Sequence, residues 1–244
     1  MRNIKLTIEY DGTNYHGWQS QINAIAIQDV ISGELKKLMG EKCNLIGSSR
    51  TDVGVHALGQ VANFITSSNI PAEKFAYALN SMLPRDIVIK KSEEVDINFH
   101  SRFSTMSKKY KYLILNSPQR SALMRNSAVH ISRDLDFEAM KTAATCFLGM
   151  HDFSAFKSTG SVVKSNERTI LDVSLEKKGD MIEFEIIGDG FLYNMVRIIV
   201  GTLIEVGIGK IEVEEVTAII ESKDRKRAGK TAPAQGLYLV EVNY

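Results

Sequence analysis

Strands are predicted wherever apolar and polar residues alternate along this chain. Ile4, Leu6 and Ile8 are separated by polar residues, so residues 3–10 are predicted to form a strand with one buried face. The same pattern predicts further strands at about 43–46, 58–66, from 87 onwards, 108–115, 168–176, 181–188 and 236–244. The two strands on either side of Lys178-Gly179-Asp180 are predicted to form a hairpin.

Helices are predicted where apolar residues recur at intervals of three and four, which occurs at about 25–39, 71–82, 136–148, 191–206 and 212–222. Gly40 and Gly149 are expected to end the first and third of them, since glycine commonly ends helices. The fourth is apolar almost all round and is predicted to be buried. It contains Arg197, and a charge on such a helix needs a partner. Three alternatives are open for Arg197: it forms a structural ion pair, it lies at a solvent-exposed edge, or it meets a carboxylate in a cleft.

The order of these elements predicts an α+β protein. The first half runs strand, helix, strand, and the second half adds a helix, a hairpin, two helices and a strand. We expect two α/β subdomains, 1–105 and 106–244, with mostly antiparallel sheets joined side by side. A cleft between the subdomains is then the expected position of the active site.

Composition narrows the class of protein. The 244 residues are 44% hydrophobic and 24% charged, which is typical of a soluble globular protein. No run of about 18 apolar residues is present and the first residues lack the apolar core of a signal peptide, so a cytoplasmic protein without a membrane segment is predicted. Cys43 and Cys146 lie far apart and outside any Cys/His cluster, so neither a disulfide framework nor a metal site is expected.

The net charge of +1 is uninformative, but the distribution of charge is not. No acidic residue lies between Asp96 and Asp134, whereas seven basic residues do: Arg102, Lys108, Lys109, Lys111, Arg120, Arg125 and Arg133. A second basic cluster spans 223–230. Two solvated faces would explain both clusters, but an excess this one-sided favours a phosphate-binding surface.

One loop concentrates residues with catalytic potential. In Gly47-Ser48-Ser49-Arg50-Thr51-Asp52-Val53-Gly54-Val55-His56, the carboxylate of Asp52 is preceded by Arg50 and followed by His56, with glycines at 47 and 54. Glycine permits positive φ and close approach, so a shaped loop entering the next strand is predicted. The alternative is a surface turn with an Arg–Asp ion pair. His56 is expected to be structural rather than a general base.

Aromatic and basic residues alternate on the strand at 108–115. Tyr110 and Tyr112 share one face, and Lys109 and Lys111 share the other. This arrangement suits stacking on a base while contacting phosphate, although a core strand with a wet basic outer face would look the same. Tyr15 and Trp18 likewise allow two interpretations: they belong to the core, or they form a base-stacking surface.

Five collinear motifs resemble those of the TruA family of tRNA pseudouridine synthases, and the resemblance runs from residue 4 to 244. They are Glu9-Tyr10-Asp11-Gly12-x-x-Tyr15-x-Gly17-Trp18-Gln19, Arg50-Thr51-Asp52-x-Gly54-Val55-His56, Phe99-His100-x-Arg102-Phe103-Ser104 with Lys109-Tyr110-Lys111-Tyr112, Met195-Val196-Arg197-x-Ile199-Val200-Gly201, and Gly236-Leu237-Tyr238-Leu239. Each motif alone is weak, but five in order at compatible distances are specific. The resemblance therefore implies the pseudouridine synthase fold.

The resemblance also implies the roles of individual residues. Asp52 matches the family's nucleophile, Arg50 the arginine beside it, and Arg197 the arginine that pairs with the aspartate. Tyr110 matches the tyrosine that packs on the target base, and we assign Tyr110, Leu237, Lys109 and Lys111 to substrate binding. The family uses no cofactor and no metal, and its members are homodimers that bind tRNA across both subunits.

The implied reaction converts uridine to pseudouridine in the anticodon stem-loop of tRNA, at positions 38–40 in the tRNA convention. Asp52 either attacks ribose C1′ or first removes a ribose proton to give a glycal, and the sequence does not choose between these routes. Two other functions remain open: the same chemistry on another RNA, such as ribosomal RNA, and a non-catalytic RNA-binding protein.

Overall fold

The computed structural model describes residues 1–160 and 163–244, and it forms two compact units. The first unit contains Met1–Met106 together with Tyr238–Tyr244, and the second contains Ser107–Leu237. In chain order the strands are β1 (Arg2–Tyr10), β2 (Ile46–Gly47), β3 (His56–Thr66), β4 (Ile87–Val95), β5 (Ser107–Asn116), β6 (Val129–Ile131), β7 (Gly149–Asp152), β8 (Glu167–Lys178), β9 (Met181–Gly188) and β10 (Leu237–Asn243). The helices are α1 (Ile27–Met39), α2 (Lys74–Asn80), α3 (Phe137–Thr145), α4 (Met195–Gly207) and α5 (Glu215–Ser222).

The sheet of the first unit is built around β1 and β3. β1 pairs antiparallel with β3 on one side and with β4 on the other. Ile4 lies opposite Phe64, and both side chains are fully buried, as the alternation along β1 predicts. β3 also pairs with the short β2 and, in the parallel sense, with β10.

The sheet of the second unit is an antiparallel series of β5, β9, β8 and β7, with β6 added parallel to β5. Tyr110, Tyr112 and Ile114 of β5 are buried and share one face, as predicted. The α4 helix is buried along most of its length, which confirms the prediction of a central buried helix. The mixed α/β class with mostly antiparallel pairing is therefore confirmed.

Several element boundaries differ from the predicted ones. The strand predicted at 43–46 is reduced to Ile46–Gly47, and the helix predicted from 191 begins at Met195 because Asn194 has a positive φ of 62°. Gly40 ends α1 with a φ of 73°, as expected for a glycine terminator. The α3 helix already ends at Thr145, and Gly149 begins β7, a strand too short to show alternation.

Within the described residues, no helix is long and apolar enough to cross a membrane.

Candidate active site

The loop that carries Asp52 occupies residues 48–55 and joins β2 to β3 in the first unit. Asp52 is half-buried and Arg50 is exposed. Gly54 has a φ of 75°, so the loop makes the glycine-dependent turn that the sequence predicted. The carboxylate therefore stands on a turn at the entrance to a buried strand.

Residues 10–18 hold one side of this loop. The hydroxyl of Tyr10 and the Oγ1 of Thr51 lie 2.7 Å apart in a buried hydrogen bond. The backbone N–H of Trp18 donates to the carbonyl of Thr51 at 3.1 Å, so both the side chain and the main chain of Thr51 are held. Because Thr51 immediately precedes Asp52, these contacts limit the movement of the carboxylate.

Close backbone contacts from the same segment also hold the loop. Gly54 donates its N–H to the carbonyl of Tyr15 at 3.3 Å. A Cβ on Gly12 would collide with the carbonyl of Val55, and a Cβ on Gly17 would collide with the carbonyl of Thr51. Only glycine permits this approach, so the first two sequence motifs form one structural unit.

The aromatics of the first motif belong to the core. Trp18 is 2% exposed and Tyr15 is 6% exposed, which settles the earlier alternatives in favour of packing. The Tyr15 hydroxyl donates to Asp86 at 2.7 Å, and the Trp18 indole lies where a side chain on Gly47 would have to be.

Gln60 supports the loop from β3. Its Oε1 accepts a hydrogen bond from the Ser48 hydroxyl at 2.7 Å, and its Nε2 donates to the carbonyl of Ser49 at 2.8 Å. Gln60 is fully buried, and our reading of the sequence did not assign it a role. Amide residues inside a mainly apolar strand, here Gln60 and Asn63, were the signal that could have identified it, since buried amides are retained where they are hydrogen-bonded.

His56 has the structural setting expected of it. Its Nδ1 accepts the N–H of Gly12 at 3.1 Å and lies 3.1 Å from Oδ1 of Asp11, while its ring stacks on Tyr238 at 4.7 Å between centroids. The Nε2 is buried without a hydrogen-bond partner among the described residues. Burial opposes ionisation of Asp11, but hydrogen bonds from Thr13 and the nearby His56 outweigh it and hold the pKa of Asp11 below its usual value.

In the second unit, Tyr110 lies on the buried face of β5. It is 6% exposed, and its ring meets the ring of Phe191 edge to face at 5.1 Å. On the opposite face, Lys109 forms an ion pair with Glu185 at 2.7 Å, and Lys111 lies opposite the same glutamate in register. That face therefore carries acidic as well as basic side chains.

Arg197 projects from the first turn of α4 and is half-buried. Its Nε donates to the carbonyl of Ala232 at 2.8 Å, and its Nη1 donates to Oδ1 of Asn194 at 2.8 Å. Ala232 returns a hydrogen bond from its N–H to the carbonyl of Arg197 at 3.0 Å. The acceptors in these two bonds are neutral oxygens, so the two bonds orient the guanidinium without themselves neutralising its charge.

Residues 229–237 are fastened to α4 and β5. A Cβ on Gly201 would collide with the carbonyl of Lys230, and the hydroxyl of Tyr112 donates to the carbonyl of Pro233 at 2.6 Å. Burial raises the pKa of Tyr112, and the positive charge of Arg197 partly offsets that effect. A Cβ on Gly236 would also collide with the Tyr112 ring, so the fourth and fifth motifs both adjoin Tyr112, the fourth through Arg197.

The assigned residues thus fall into two groups, one in each unit. Arg50 and Asp52 share one loop of the first unit, whereas the second unit holds the remaining five: Lys109, Tyr110, Lys111, Arg197 and Leu237. Leu237 is 6% exposed. Across residues 1–160 and 163–244, no cluster of three or more His, Cys, Asp or Glu side chains has the arrangement of a metal site.

These features define an α+β protein with a fixed carboxylate loop, the class in which the sequence placed it. A family model described as tRNA pseudouridine synthase matches residues 6–104 and 143–244. The protein named tRNA pseudouridine synthase A from Acetivibrio thermocellus is 66% identical over 244 residues, and the match covers 100% of both chains. Its namesake from Thermoanaerobacter sp. strain X514 is 57% identical, also over 100% of both chains. The chain belongs to the tRNA pseudouridine synthase family.

Among solved structures, the chain is similar to one chain of an H/ACA RNP bound to a substrate RNA containing 2′-deoxyuridine. The identity is 10%, the TM-score is 0.37, and the match covers 97% of this chain and 46% of the other. This chain therefore spans about half the length of that relative, and the likeness is too weak to bear on function.

Proposed function

We propose that this protein converts uridine to pseudouridine in the anticodon stem-loop of tRNA, at positions 38–40 in the tRNA convention, with Asp52 as the nucleophile. Membership of the family over the whole chain supports tRNA uridine as the substrate and isomerisation as the reaction. The observation that carries the assignment of Asp52 is its loop, in which a half-buried carboxylate follows a residue held through both its side chain and its main chain. Such fixation suits a reacting group that must meet one atom of a bound substrate.

The reaction requires a carboxylate and a proton acceptor, and its atoms balance without an oxidant or water. The bond from ribose C1′ to N1 breaks, the uracil turns, and a new bond forms from C1′ to C5. The proton on C5 is then lost and N1 gains one. Asp52 acts on the ribose, either by adding to C1′ or by removing a ribose proton to give a glycal. The target nucleotide must first leave its stack, which costs a few kcal/mol.

The other assigned catalytic residues are proposed to favour ionisation of Asp52 or to contact the target nucleotide. By the family resemblance, Arg197 and Arg50 are assigned as the cations that favour the ionised form of Asp52. The exposed Arg50 is also long and planar enough to fill the space that the flipped nucleotide leaves. We assign the ring of Tyr110 to stacking on the uracil and its hydroxyl to assisting loss of the C5 proton.

Substrate binding is assigned to Tyr110, Leu237, Lys109 and Lys111. The ion pair of Lys109 with Glu185 lowers the net charge that Lys109 offers to a phosphate. Lys109 therefore contributes to a phosphate contact once RNA competes with Glu185 for the ammonium group, and Lys111, which lies opposite Glu185 in register, is assigned to the same role.

Asp52→Asn tests the assignment directly. The variant keeps the shape and polarity of the side chain but loses the nucleophile, so pseudouridine formation in a tRNA transcript is expected to vanish while tRNA binding remains. Carbodiimide-primer stops measure the product and filter binding measures affinity. Asp180→Asn is the matched control, because Asp180 is an exposed aspartate in the hairpin turn of the second unit. Product formation by Asp52→Asn at the wild-type rate would refute the assignment.

The same assay decides between substrates. Wild-type protein is offered an anticodon stem-loop, a full tRNA transcript and ribosomal RNA fragments of equal length to the stem-loop. Conversion confined to the tRNA substrates supports the proposal. Conversion of the ribosomal fragments at a similar rate would indicate a different RNA target, and binding without conversion would indicate a non-catalytic RNA-binding protein.

The assembly and location follow from the same resemblance. We infer a homodimer that binds tRNA across both subunits and works in the cytoplasm with its substrate. Small-angle scattering measures the mass in solution, and a monomer mass at the concentrations used for activity would contradict the dimer.

A further inference from the structure

The turn at 99–104 presents an aromatic ring to solvent in the first unit. Phe103 is 77% exposed, although it belongs to a sequence motif and lies in the acid-free stretch that follows Asp96. The assigned mechanism gives this turn no role. A single exposed apolar side chain is ordinary, so its neighbours and its backbone decide whether it has a purpose.

Phe103 is flanked by a second ring and a cation. The His100 ring lies 4.3 Å from the Phe103 ring between centroids, with 31° between the planes. The guanidinium carbon of Arg102 lies 5.7 Å from the centroid of the Phe103 ring. The exposed group is therefore a small platform of Phe103, His100 and Arg102, with flat faces and positive charge together.

Hydrogen bonds hold the shape of this platform. The Nδ1 of His100 accepts the backbone N–H of Arg102 at 3.2 Å and that of Phe103 at 3.3 Å, which leaves the proton of an uncharged ring on Nε2. The N–H of Ser104 also donates to the carbonyl of His100 at 2.9 Å. These bonds fix the backbone of the turn and so hold Phe103 at the surface of the first unit.

The platform is tied to the strand that enters the Asp52 loop. Ser101 donates its hydroxyl to the carbonyl of Ile46 at 2.6 Å and its N–H to Oδ1 of Asn63 at 2.9 Å. The hydroxyl of Tyr244 donates to the carbonyl of Ser101 at 2.8 Å. Since Ile46 begins β2 and residues 48–55 follow it, the platform has a fixed connection to the carboxylate loop.

We propose that Phe103 stacks an unpaired nucleobase of the tRNA other than the target uridine, while Arg102 contacts an adjacent phosphate. A base offers the ring a flat π-face of matching size, and the phosphate complements the cation and the absence of nearby acids in the sequence. The proposal rests on the proposed function for its RNA. Its experiments measure binding rather than turnover, so the two can fail independently.

Four variants of the full-length protein test the platform with a full tRNA transcript. Phe103→Ala is expected to raise the Kd about tenfold, as loss of one stacked base does, and Phe103→Trp is expected to restore it. Arg102→Ala is expected to reduce the slope of log Kd against log salt by about one. Tyr77→Ala is the matched control, because Tyr77 is 73% exposed with Lys74 Nζ 5.3 Å from its ring, but it lies on α2 outside the acid-free stretch.

The tryptophan variant also reports stacking directly. The native chain has one tryptophan, Trp18, which is 2% exposed, so the emission of an added exposed tryptophan can be separated by its wavelength. Saturating tRNA is expected to quench that emission in Phe103→Trp, and to leave the emission of a Tyr77→Trp control unchanged.

Three results would overturn the platform: wild-type affinity in Phe103→Ala, an unquenched tryptophan at position 103 in the complex, or a Phe103→Ala variant that changes solution mass instead of Kd. The last would show that a second copy of the chain covers the ring. Binding through Phe103 by a protein that forms no pseudouridine would instead leave the platform standing and refute the proposed function.

Discussion

The hydrogen bond between Tyr10 and Thr51 offers a sharp test of how the Asp52 loop is held. Thr51→Val keeps the β-branched shape of the side chain but removes the hydroxyl that lies 2.7 Å from the Tyr10 hydroxyl. Both residues are buried, at 3% and 7% exposure, so water does not readily replace the lost partner. The change therefore acts on the residue that precedes Asp52 without touching the carboxylate.

The size of the effect follows from two opposing terms. Depriving the buried Tyr10 hydroxyl of this partner costs about 1–3 kcal/mol. The extra buried methyl of valine returns about 0.8 kcal/mol at most. We expect a net loss of about 1–2 kcal/mol in the free energy of unfolding. A loop that can shift by a fraction of an ångström is expected to lower kcat about tenfold, with a smaller change in KM.

Urea unfolding followed by Trp18 emission measures the stability, because the backbone N–H of Trp18 donates to the carbonyl of Thr51 and Trp18 thus reports on this part of the first unit. Pseudouridine formation at saturating tRNA measures kcat. Thr51→Ser, which keeps the hydroxyl, is expected to retain most of both quantities. In a cycle with Tyr10→Phe, the double variant is expected to lose about 1 kcal/mol less than the sum of the single variants.

Two results would refute this reasoning. Additive losses in the cycle would mean that the two hydroxyls act separately. A wild-type kcat in Thr51→Val, despite the loss of stability, would mean that the position of Asp52 does not depend on this hydrogen bond.

Three further changes test packing and charge. Gly201→Ala is expected to lower the free energy of unfolding by about 2 kcal/mol, because its methyl would meet the Lys230 carbonyl. Gly33→Ala in α1, where a Cβ meets nothing, is expected to raise it by about 0.5–1 kcal/mol; equal effects in urea unfolding would contradict the packing argument. The pKa of Asp11 in the folded protein lies below its usual value, so ionisation of Asp11 stabilises the fold above about pH 4. Asp11→Asn is therefore expected to have a lower free energy of unfolding than the wild type at neutral pH. This difference is expected to disappear as the pH falls through the folded pKa. A deficit that grows on acidification in pH-dependent unfolding would contradict the sign.

The sequence predicted those elements whose pattern is local. The alternation along β1 and the run of apolar residues in α4 identified buried strands and a buried helix, and Gly40 marked the end of α1. The start of α4 was placed too early because residues before Asn194 are as apolar as the helix itself, and only the positive φ of Asn194 stops it. β7 has four residues, too few for a period to emerge.

The contacts that hold the candidate site could not be predicted from local sequence patterns. The carboxylate loop was recognisable from its glycines and charges, but its fixation depends on contacts between segments far apart in the chain, such as Tyr10 with Thr51 and Gly12 with Val55. Likewise, the partner of Lys109 is Glu185 on a different strand. Local periodicity carries no information on such pairings, and only the collinear motifs hinted that these segments meet.

Because β10 pairs with β3, the first unit is complete only when the end of the chain has been synthesised. Tyr238 stacks on His56, and the carbonyl of Val240 fills the space beside Gly59, so the first unit is completed by a segment translated after the whole second unit. A nascent chain that has emerged only to residue 236 still lacks the partner strand of His56 and Ala57 on β3, and these unpaired backbone groups are of the kind that recruit foreign strands. The sheet that carries the Asp52 loop is therefore completed only late in translation. A nonsense codon just before residue 237 is expected to yield a product that aggregates rather than an enzyme with reduced activity.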